Sequence, residues 1–108
     1  MSGKRIKEVA NAIKIFLKGR DVKVDKIVVF GSYAKDNYSV NSDLDIAIVS
    51  SDFDGKDIFQ KADMIKGLSW HLVERFLFPF DIVTVSRREY QESSSLIIDF
   101  IKEGKVLV

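Results

Sequence analysis

One succession of patterns constrains the fold of this chain more than any other: an apolar strand, a helical segment and a second strand. Residues 43–49 end in an apolar run, residues 57–78 carry apolar side chains at helical spacing, and residues 81–85 are mostly β-branched. Pro79 ends the helix before the second strand, because proline lacks the N–H that a helix requires. The order strand, helix, strand predicts a right-handed crossover between two parallel strands.

The segments before this crossover are predicted to be a helix and a strand. Apolar residues recur at helical spacing over residues 4–18, and Gly19 is expected close to the end of that helix. β-branched side chains predominate over residues 24–30, which predicts the first strand of the sheet.

The segment after the crossover is predicted to be a closing helix. Ser86 and Glu89 have the spacing of a capping box, Gly104 is expected just after the end of the helix, and residues 106–108 could add a short strand. The side chains expected to face inward are Tyr90, Leu96, Ile97, Phe100 and Ile101. The whole pattern predicts an α+β fold, a small mixed sheet packed with helices in a sandwich-like arrangement.

The composition is that of one globular domain over residues 1–108. Hydrophobic residues make up 46% and charged residues 31% of the sequence, which is ordinary for such a domain. The net charge of +1 gives no general attraction to nucleic acid, so direct nucleic-acid binding is not expected. The absence of cysteine excludes disulfides and thiolate metal sites. We find no membrane span or signal-peptide pattern, and therefore expect a cytoplasmic protein without membrane contact.

A Gly-Ser pair directly follows the first predicted strand. Gly31 has no Cβ, so the backbone can turn sharply there and lie close to a ligand. Backbone N–H groups at such a turn form an anion-binding cradle, to which Ser32 adds a hydroxyl. This pair is therefore a candidate phosphate-binding site.

Two aspartates in alternation follow ten residues after the Gly-Ser pair. Asp43 and Asp45 stand at positions i and i+2 of a predicted strand, so their carboxylates point to the same face. Paired carboxylates with few other ligands suit Mg²⁺, which keeps water and phosphate oxygens in its shell. The Gly-Ser pair and the two aspartates together predict a site for a metal-bound nucleoside triphosphate.

The predicted topology adds a third carboxylate. Asp81 opens the strand that is parallel to the one opened by Asp43 and Asp45, so all three should meet at one edge of the sheet. The first strand must then run antiparallel to its neighbour to bring Gly31 to the same edge. Crowded carboxylates raise one another's pKa, so the cluster is self-repelling without cations. Two divalent ions roughly 3.5–4 Å apart would stabilise both the attacking and the leaving oxygen of an in-line displacement.

The pattern of Gly-Ser, ten residues and Asp-x-Asp resembles the motif of the DNA polymerase β-type nucleotidyltransferases, and the short chain is similar to their minimal members. The resemblance extends over nearly the whole chain. It implies that Gly31 and Ser32 hold the triphosphate and that Asp43 and Asp45 bind Mg²⁺, as two ions, with Mn²⁺ as an alternative. It implies that Asp81 binds metal or acts as the general base.

One position departs from the pattern of that family. An alanine and then an arginine often follow the Gly-Ser pair, and here Ala34 is followed by Lys35. A lysine can meet a phosphate as a point charge but cannot form the bidentate contact of an arginine. Lys35 is a candidate nucleotide-binding residue on this basis.

The resemblance also implies a reaction and a partner. It points to transfer of a nucleoside monophosphate, AMP from ATP, to a hydroxyl group. Minimal members are commonly encoded beside a small helical HEPN ribonuclease, which implies that this chain is an antitoxin that modifies a tyrosine of that toxin. Two alternatives stay open: a binding module that neutralises its partner by occlusion, and a nucleotidyltransferase with a small-molecule acceptor.

Several other residues receive a structural interpretation. Asp52, Asp54 and Asp57 do not match a calcium loop and are expected to form a turn and a helix cap. Arg87 and Arg88 follow the far end of their strand and are expected at a solvated helix start. An exposed Trp70 would mark a surface that contacts a partner.

Overall fold

The computed structural model describes residues 2–34 and 43–108, and in these ranges a four-stranded mixed sheet lies between two layers of helices. The elements are α1 (Gly3–Lys18), β1 (Lys26–Phe30), β2 (Leu44–Ser50), a 3-10 turn (Ser51–Phe53), α2 (Ile58–Met64), α3 (Leu68–Phe76), β3 (Phe80–Ser86), α4 (Arg87–Glu92), α5 (Leu96–Lys102) and β4 (Lys105–Val106). This is the predicted α+β architecture of helices packed on a small mixed sheet.

The strand order is β3-β2-β1-β4. β2 and β3 pair in parallel, which confirms the predicted crossover, and β1 runs antiparallel to β2, as the convergence of the motifs required. β4 adds an antiparallel edge strand beside β1 and is two residues long.

Both faces of the sheet are buried, which explains why its central strands are almost wholly apolar. Side chains of β2 alternate, so that Leu44, Ile46 and Ile48 join the core formed with α1 and α3, while Ala47 and Val49 join the core on the other face. The second core contains Ile98 and Ile101 of α5 and half-buried Tyr90 of α4. We call these the α1–α3 face and the α4–α5 face.

The helix predicted over residues 57–78 is in fact two helices, α2 and α3. Gly67 separates them with a left-handed φ of +87°, a conformation that glycine adopts without strain. Asp57 caps α2 through a capping box with Gln60, as expected for a turn and cap. The apolar spacing continues across the break, so periodicity alone did not reveal it.

The closing helix is also divided, and three of the residues predicted to face inward do not. Ser86 and Glu89 form the predicted capping box of α4, but Ser95 caps a separate helix, α5. α5 packs on the sheet through Ile98 and Ile101. Leu96, Ile97 and Phe100 are instead 71%, 45% and 44% exposed, because the new helix starts with its own orientation.

No helix in the described ranges, 2–34 and 43–108, is both long enough and apolar enough to cross a bilayer.

Candidate active site

Three strand ends meet at one edge of the sheet, where β1 ends and β2 and β3 begin. Asp45 of β2 lies opposite Phe30 of β1 on one side and opposite Asp81 of β3 on the other. A hydrogen bond of 3.0 Å from the Leu44 N–H to the Pro79 carbonyl joins the starts of β2 and β3. The register thus brings the Gly-Ser turn and the aspartates to a common edge, as the topology predicted.

Gly31 has a second reason to be glycine besides the turn. Its φ is +73°, and a Cβ at this position would overlap the carboxylate oxygen of Asp45. The backbone of the turn therefore passes directly against that carboxylate. The half-buried Ser32 follows, and the turn is anchored by Tyr33, whose buried ring meets Phe78 edge-on at 5.7 Å between centroids.

The three aspartates influence one another electrostatically. Burial raises the pKa of Asp45, and the negative charges of Asp81 and then Asp43 raise it further. A cation bound at this edge would relieve that repulsion. Asp43 is exposed just before β2, and in the described ranges no group of three or more acidic or histidine side chains is gathered closely enough to hold a metal unaided.

The open arrangement suits an ion that takes only part of its shell from protein. Mg²⁺ is bound through one or two carboxylates while water and substrate phosphate oxygens complete its octahedron. Asp45 and Asp81 offer oxygen donors on the same side of neighbouring strands, as parallel register partners do. The donor set therefore fits magnesium, with room left for a phosphate.

A cleft of about 380 Å³ opens beside the Gly-Ser turn. Its lining consists of Phe30, Gly31, Ser32, Ala34, Asp45, Phe100, Glu103 and Gly104. The contribution of α5 was missed at the sequence level, where Phe100 was expected in the core. A larger cleft of about 640 Å³ runs along α1 but contains none of the predicted site residues, so its chemistry gives no reason to prefer it.

Gly104 fixes the position of this wall. A Cβ there would collide with the Val29 carbonyl and the Val28 side chain, so only glycine lets the chain leave α5 this close to β1. Gly104 was predicted only as a helix end. In the sequence, Gly104 follows Phe100 and Glu103 and directly precedes the predicted final strand. This position is the signal that could have indicated a close approach of the helix end to the sheet, and with it the cleft.

The remaining residues lie away from this edge or outside the described ranges. Lys35 falls in the segment 35–42, outside the residues that the structure describes. Arg87 and Arg88 begin α4 at the opposite end of β3, and Arg88 pairs with Glu92 at 3.1 Å, as a solvated helix start predicts. Trp70 is 72% exposed on α3, on the α1–α3 side of the sheet. Trp70 is therefore exposed, which was the condition for it to mark a surface that contacts a partner.

Residues 11–108 match the profile of the family described as "Polymerase beta, Nucleotidyltransferase". Over 52 residues the chain is 50% identical to a protein of Methanocaldococcus jannaschii named "Putative protein adenylyltransferase". That similarity covers 47% of this chain and 49% of the relative, so the chain matches about half the length of this curated protein.

Solved structures share the fold at low sequence identity. A Sulfolobus solfataricus protein described as a "putative nucleotidyltransferase" has a TM-score of 0.62 at 20% identity, and the match covers 94% of this chain and 78% of that one. A toxin–antitoxin structure with AMP-PNP has a TM-score of 0.61 at 24% identity, with coverages of 91% and 71%. A mutant of the toxin–antitoxin MntA–HpeT has a TM-score of 0.59 at 22% identity, with coverages of 91% and 70%.

Proposed function

Because the chain belongs to the polymerase β-type nucleotidyltransferase family, we propose that it transfers a nucleoside monophosphate from a nucleoside triphosphate to a hydroxyl group. The observation that carries the proposal is the convergence of the Gly31 turn, Asp45 and Asp81 at one edge of the sheet. The turn and the carboxylates come from segments far apart in sequence, and the register alone brings them together.

The phosphate side of the site is the Gly-Ser turn. Backbone N–H groups of the turn and the Ser32 hydroxyl would hold the β- and γ-phosphates, since such groups bind anions without any side-chain charge. Gly31 lets this cradle lie against Asp45, because a Cβ at this position would overlap the Asp45 carboxylate. Lys35 remains a candidate for an additional phosphate contact.

The carboxylate side would hold Mg²⁺ through Asp43 and Asp45, with Asp81 completing a site for a second ion. When bound, Mg²⁺ neutralises developing charge on the phosphate oxygens. Two observations support this assignment: the donors are all oxygen atoms, and burial, then the charges of Asp81 and Asp43, raise the pKa of Asp45. Asp81 would also orient the acceptor hydroxyl and accept its proton.

The order of these groups across the sheet matches an in-line displacement. Asp81 lies on β3, Asp45 on the neighbouring β2, and the Gly31 turn follows β1 on the far side. The acceptor oxygen would form a bond to the α-phosphorus from the Asp81 side. The bond between the α-phosphorus and its bridging oxygen would break, and pyrophosphate would leave on the side of the turn.

We propose ATP as the donor and a tyrosine hydroxyl of a HEPN-type toxin as the acceptor, so that the chain acts in the cytoplasm as an antitoxin. The support is the family resemblance, the name of the M. jannaschii relative and the similarity of fold to two toxin–antitoxin structures, one of them with AMP-PNP. The exposed Trp70 offers a surface on which a partner could dock, and the second candidate, neutralisation by binding alone, needs no more than such a surface.

The test is to co-express the proposed HEPN-type toxin with wild type, Asp45→Asn or Asp63→Asn, and to measure the intact mass of the toxin. Asp63 is exposed on α2 and gives a control with the same chemical change away from the site. We expect a gain of one nucleoside monophosphate with wild type and Asp63→Asn, and none with Asp45→Asn. Full neutralisation of the toxin by Asp45→Asn would support occlusion. A toxin that the wild type neutralises but leaves unmodified would overturn the proposal of protein modification.

A further inference from the structure

The two outer strands of the sheet differ in how their edges are protected. Within residues 2–34 and 43–108, β3 pairs only with β2, over seven residues in unbroken register, and it contains no lysine, arginine or proline. The other outer strand, β4, is two residues long and carries Lys105. Natural sheets protect their edges with short strands, lysine, proline or bulges, because an open edge binds other strands. β4 is protected in this way, whereas β3 is not.

The backbone of β3 presents hydrogen-bonding groups at this edge. The Leu44 N–H donates to the Pro79 carbonyl at 3.0 Å, so that carbonyl points toward β2. Along a strand, the backbone groups alternate in direction from one residue to the next. The N–H and C=O groups of Phe80, Ile82 and Thr84 therefore point away from β2, and no hydrogen bond to them is found among the described residues.

The burial of β3 agrees with this open edge. Residues 46–48 of β2 are fully buried, whereas their register partners, residues 82–84 of β3, are only half-buried. The two strands lie between the same helical layers, and β2 has a strand on either side. A strand added to the outer edge of β3 would bury more of its apolar side chains and satisfy its outward backbone groups.

The open edge also lies on the side from which the acceptor approaches in the proposed reaction. Asp81 is exposed, is the one charged residue of β3 and is the proposed base. In an antiparallel pair, the residue opposite Asp81 would point to the same face of the sheet, with the two Cβ atoms about 4.5–5.5 Å apart. A tyrosine there is long enough for its hydroxyl to reach the space above the Asp81 carboxylate. A second copy of the chain paired along β3 would instead cover the approach to Asp81.

We infer that β3 binds the acceptor protein by strand addition: an extended segment of the acceptor pairs with the outer edge of β3 and places its hydroxyl side chain beside Asp81. This inference rests on the proposed function, because it takes Asp81 as the group that accepts the proton. Main-chain hydrogen bonds give the affinity, and the register selects the side chain that is modified. The modified side chain therefore lies in an extended part of the acceptor, since a helix uses its own backbone groups.

The test is to measure KM and kcat for modification of the proposed toxin by wild type and Thr84→Pro in Mg²⁺ buffer. Proline removes the outward N–H of residue 84 and breaks no hydrogen bond to β2, so an edge strand tolerates it. We expect the KM for the toxin to rise about tenfold, as for the loss of one or two hydrogen bonds. The kcat and the Kd for a non-hydrolysable ATP analogue should not change.

Val106→Pro is the matched control on the opposite edge of the sheet. The Leu107 N–H donates to the Ile27 carbonyl at 2.7 Å, so the Val106 N–H points away from β1 and its loss breaks no hydrogen bond to that strand. The same substitution on the edge far from Asp81 should leave the KM for the toxin unchanged.

A second measurement requires no change in the chain. Synthetic peptides around the tyrosine that the wild type modifies are prepared with one backbone amide N-methylated in each. Methylation should raise the KM at every second amide and have little effect at those between, because only alternate N–H groups of an added strand face β3.

Equal KM values for all the methylated peptides would overturn the inference and leave the proposed function intact. So would a free chain that sediments as a dimer in the wild type and as a monomer in Thr84→Pro, because the edge would then belong to self-association. A wild type that binds the ATP analogue but modifies no hydroxyl of the toxin would overturn the proposed function itself, and the inference with it.

Discussion

The two faces of the sheet are covered very differently. On the α1–α3 face, α1 buries five of its side chains and α3 buries three. On the α4–α5 face, α5 buries only Ile98 and Ile101, and none of the six described residues of α4 is buried. Asp45 and Asp81 point to this thinly covered face, because they alternate with Leu44 and Phe80 of the other core.

The two faces of the sheet therefore have different roles in this chain of 108 residues. The well-covered face supplies most of the apolar burial that stabilises the fold, whereas the other face leaves the strand ends open to a substrate. A site that gathers like charges at a partly buried strand end is unfavourable by itself. The apolar burial on the α1–α3 face offsets this cost.

The largest expected effect tests the well-covered face directly. Leu72→Ala removes a fully buried side chain of α3 and should lower the free energy of unfolding by about 2–5 kcal/mol. Ile98→Ala should cost less, because the short α5 can shift to fill part of the space. Urea denaturation followed by circular dichroism measures both, and an equal or greater cost for Ile98→Ala would contradict the comparison.

The next effect tests the close approach of the turn to Asp45. Gly31→Ala should lower the free energy of unfolding by about 1–3 kcal/mol, because the left-handed φ is strained for alanine and the new Cβ would meet the Asp45 carboxylate. Gly55→Ala is the matched control, since Gly55 has the same φ of +73° and nothing within 4 Å of its Cβ. The excess cost of Gly31→Ala measures the contact; equal costs would show that none exists.

A smaller effect of opposite sign is expected for Asp45→Asn. The native pKa of Asp45 is raised, so the unfolded chain ionises first and the wild type loses stability as pH rises through the native pKa. The variant avoids this loss and should be more stable at pH 8 by about 0.5–2 kcal/mol, with no difference below the ordinary carboxyl pKa.

Denaturation curves from pH 3 to pH 8 in the presence of EDTA check this prediction. Adding Mg²⁺ should stabilise the wild type and leave Asp45→Asn unchanged, so the difference in the free energy of unfolding between the two should become smaller. A variant that is less stable than wild type at pH 8 in EDTA would be incompatible with repulsion at this edge.

The smallest effect concerns the attachment of α2, none of whose seven described residues is buried. The Lys61 ammonium lies 2.6 Å from the Glu89 carboxylate and joins α2 to α4. Partial burial favours a higher pKa for Glu89, but the hydrogen bonds from Lys61 and Ser86 outweigh it and lower the pKa. Their contribution is present above the ordinary glutamate pKa and is lost as pH falls through the lowered one.

Glu89→Gln should therefore cost about 0.5 kcal/mol at pH 7, because the Glu89 side chain is about half exposed, and less at pH 3, where protonation of Glu89 weakens the pair. A double-mutant cycle with Lys61→Gln isolates the pair from the capping box, which the amide of the Glu89→Gln variant can still close. An equal cost at both pH values would show that packing, not the ion pair, is responsible.

The sequence allowed prediction of the elements whose patterns are local. The crossover between β2 and β3 followed from strand and helix periodicity together with Pro79, and it brought Asp81 to the edge where Asp45 lies. The breaks at Gly67 and before Ser95 could not be seen, because apolar spacing continues through both and one glycine is tolerated within a helix.

The parts of the site that escaped prediction depend on contacts between distant segments. Gly31 passes against Asp45 because β1 pairs with β2, and neither segment alone indicates this close approach. Phe100 was expected in the core because apolar side chains on a short helix give no indication of which of them face solvent. The division of the closing helix shifted its orientation and with it the identity of the cleft wall.

The parallel register of β2 and β3 also determines which changes in length the chain can accept. A shift of β3 by one residue would move Asp81 to the opposite face and replace it with Phe80 or Ile82. None of residues 51–77 lines the cleft, so insertions there need only return β3 to the same alignment. The catalytic edge is therefore insensitive to how long the crossover is and acutely sensitive to where it ends.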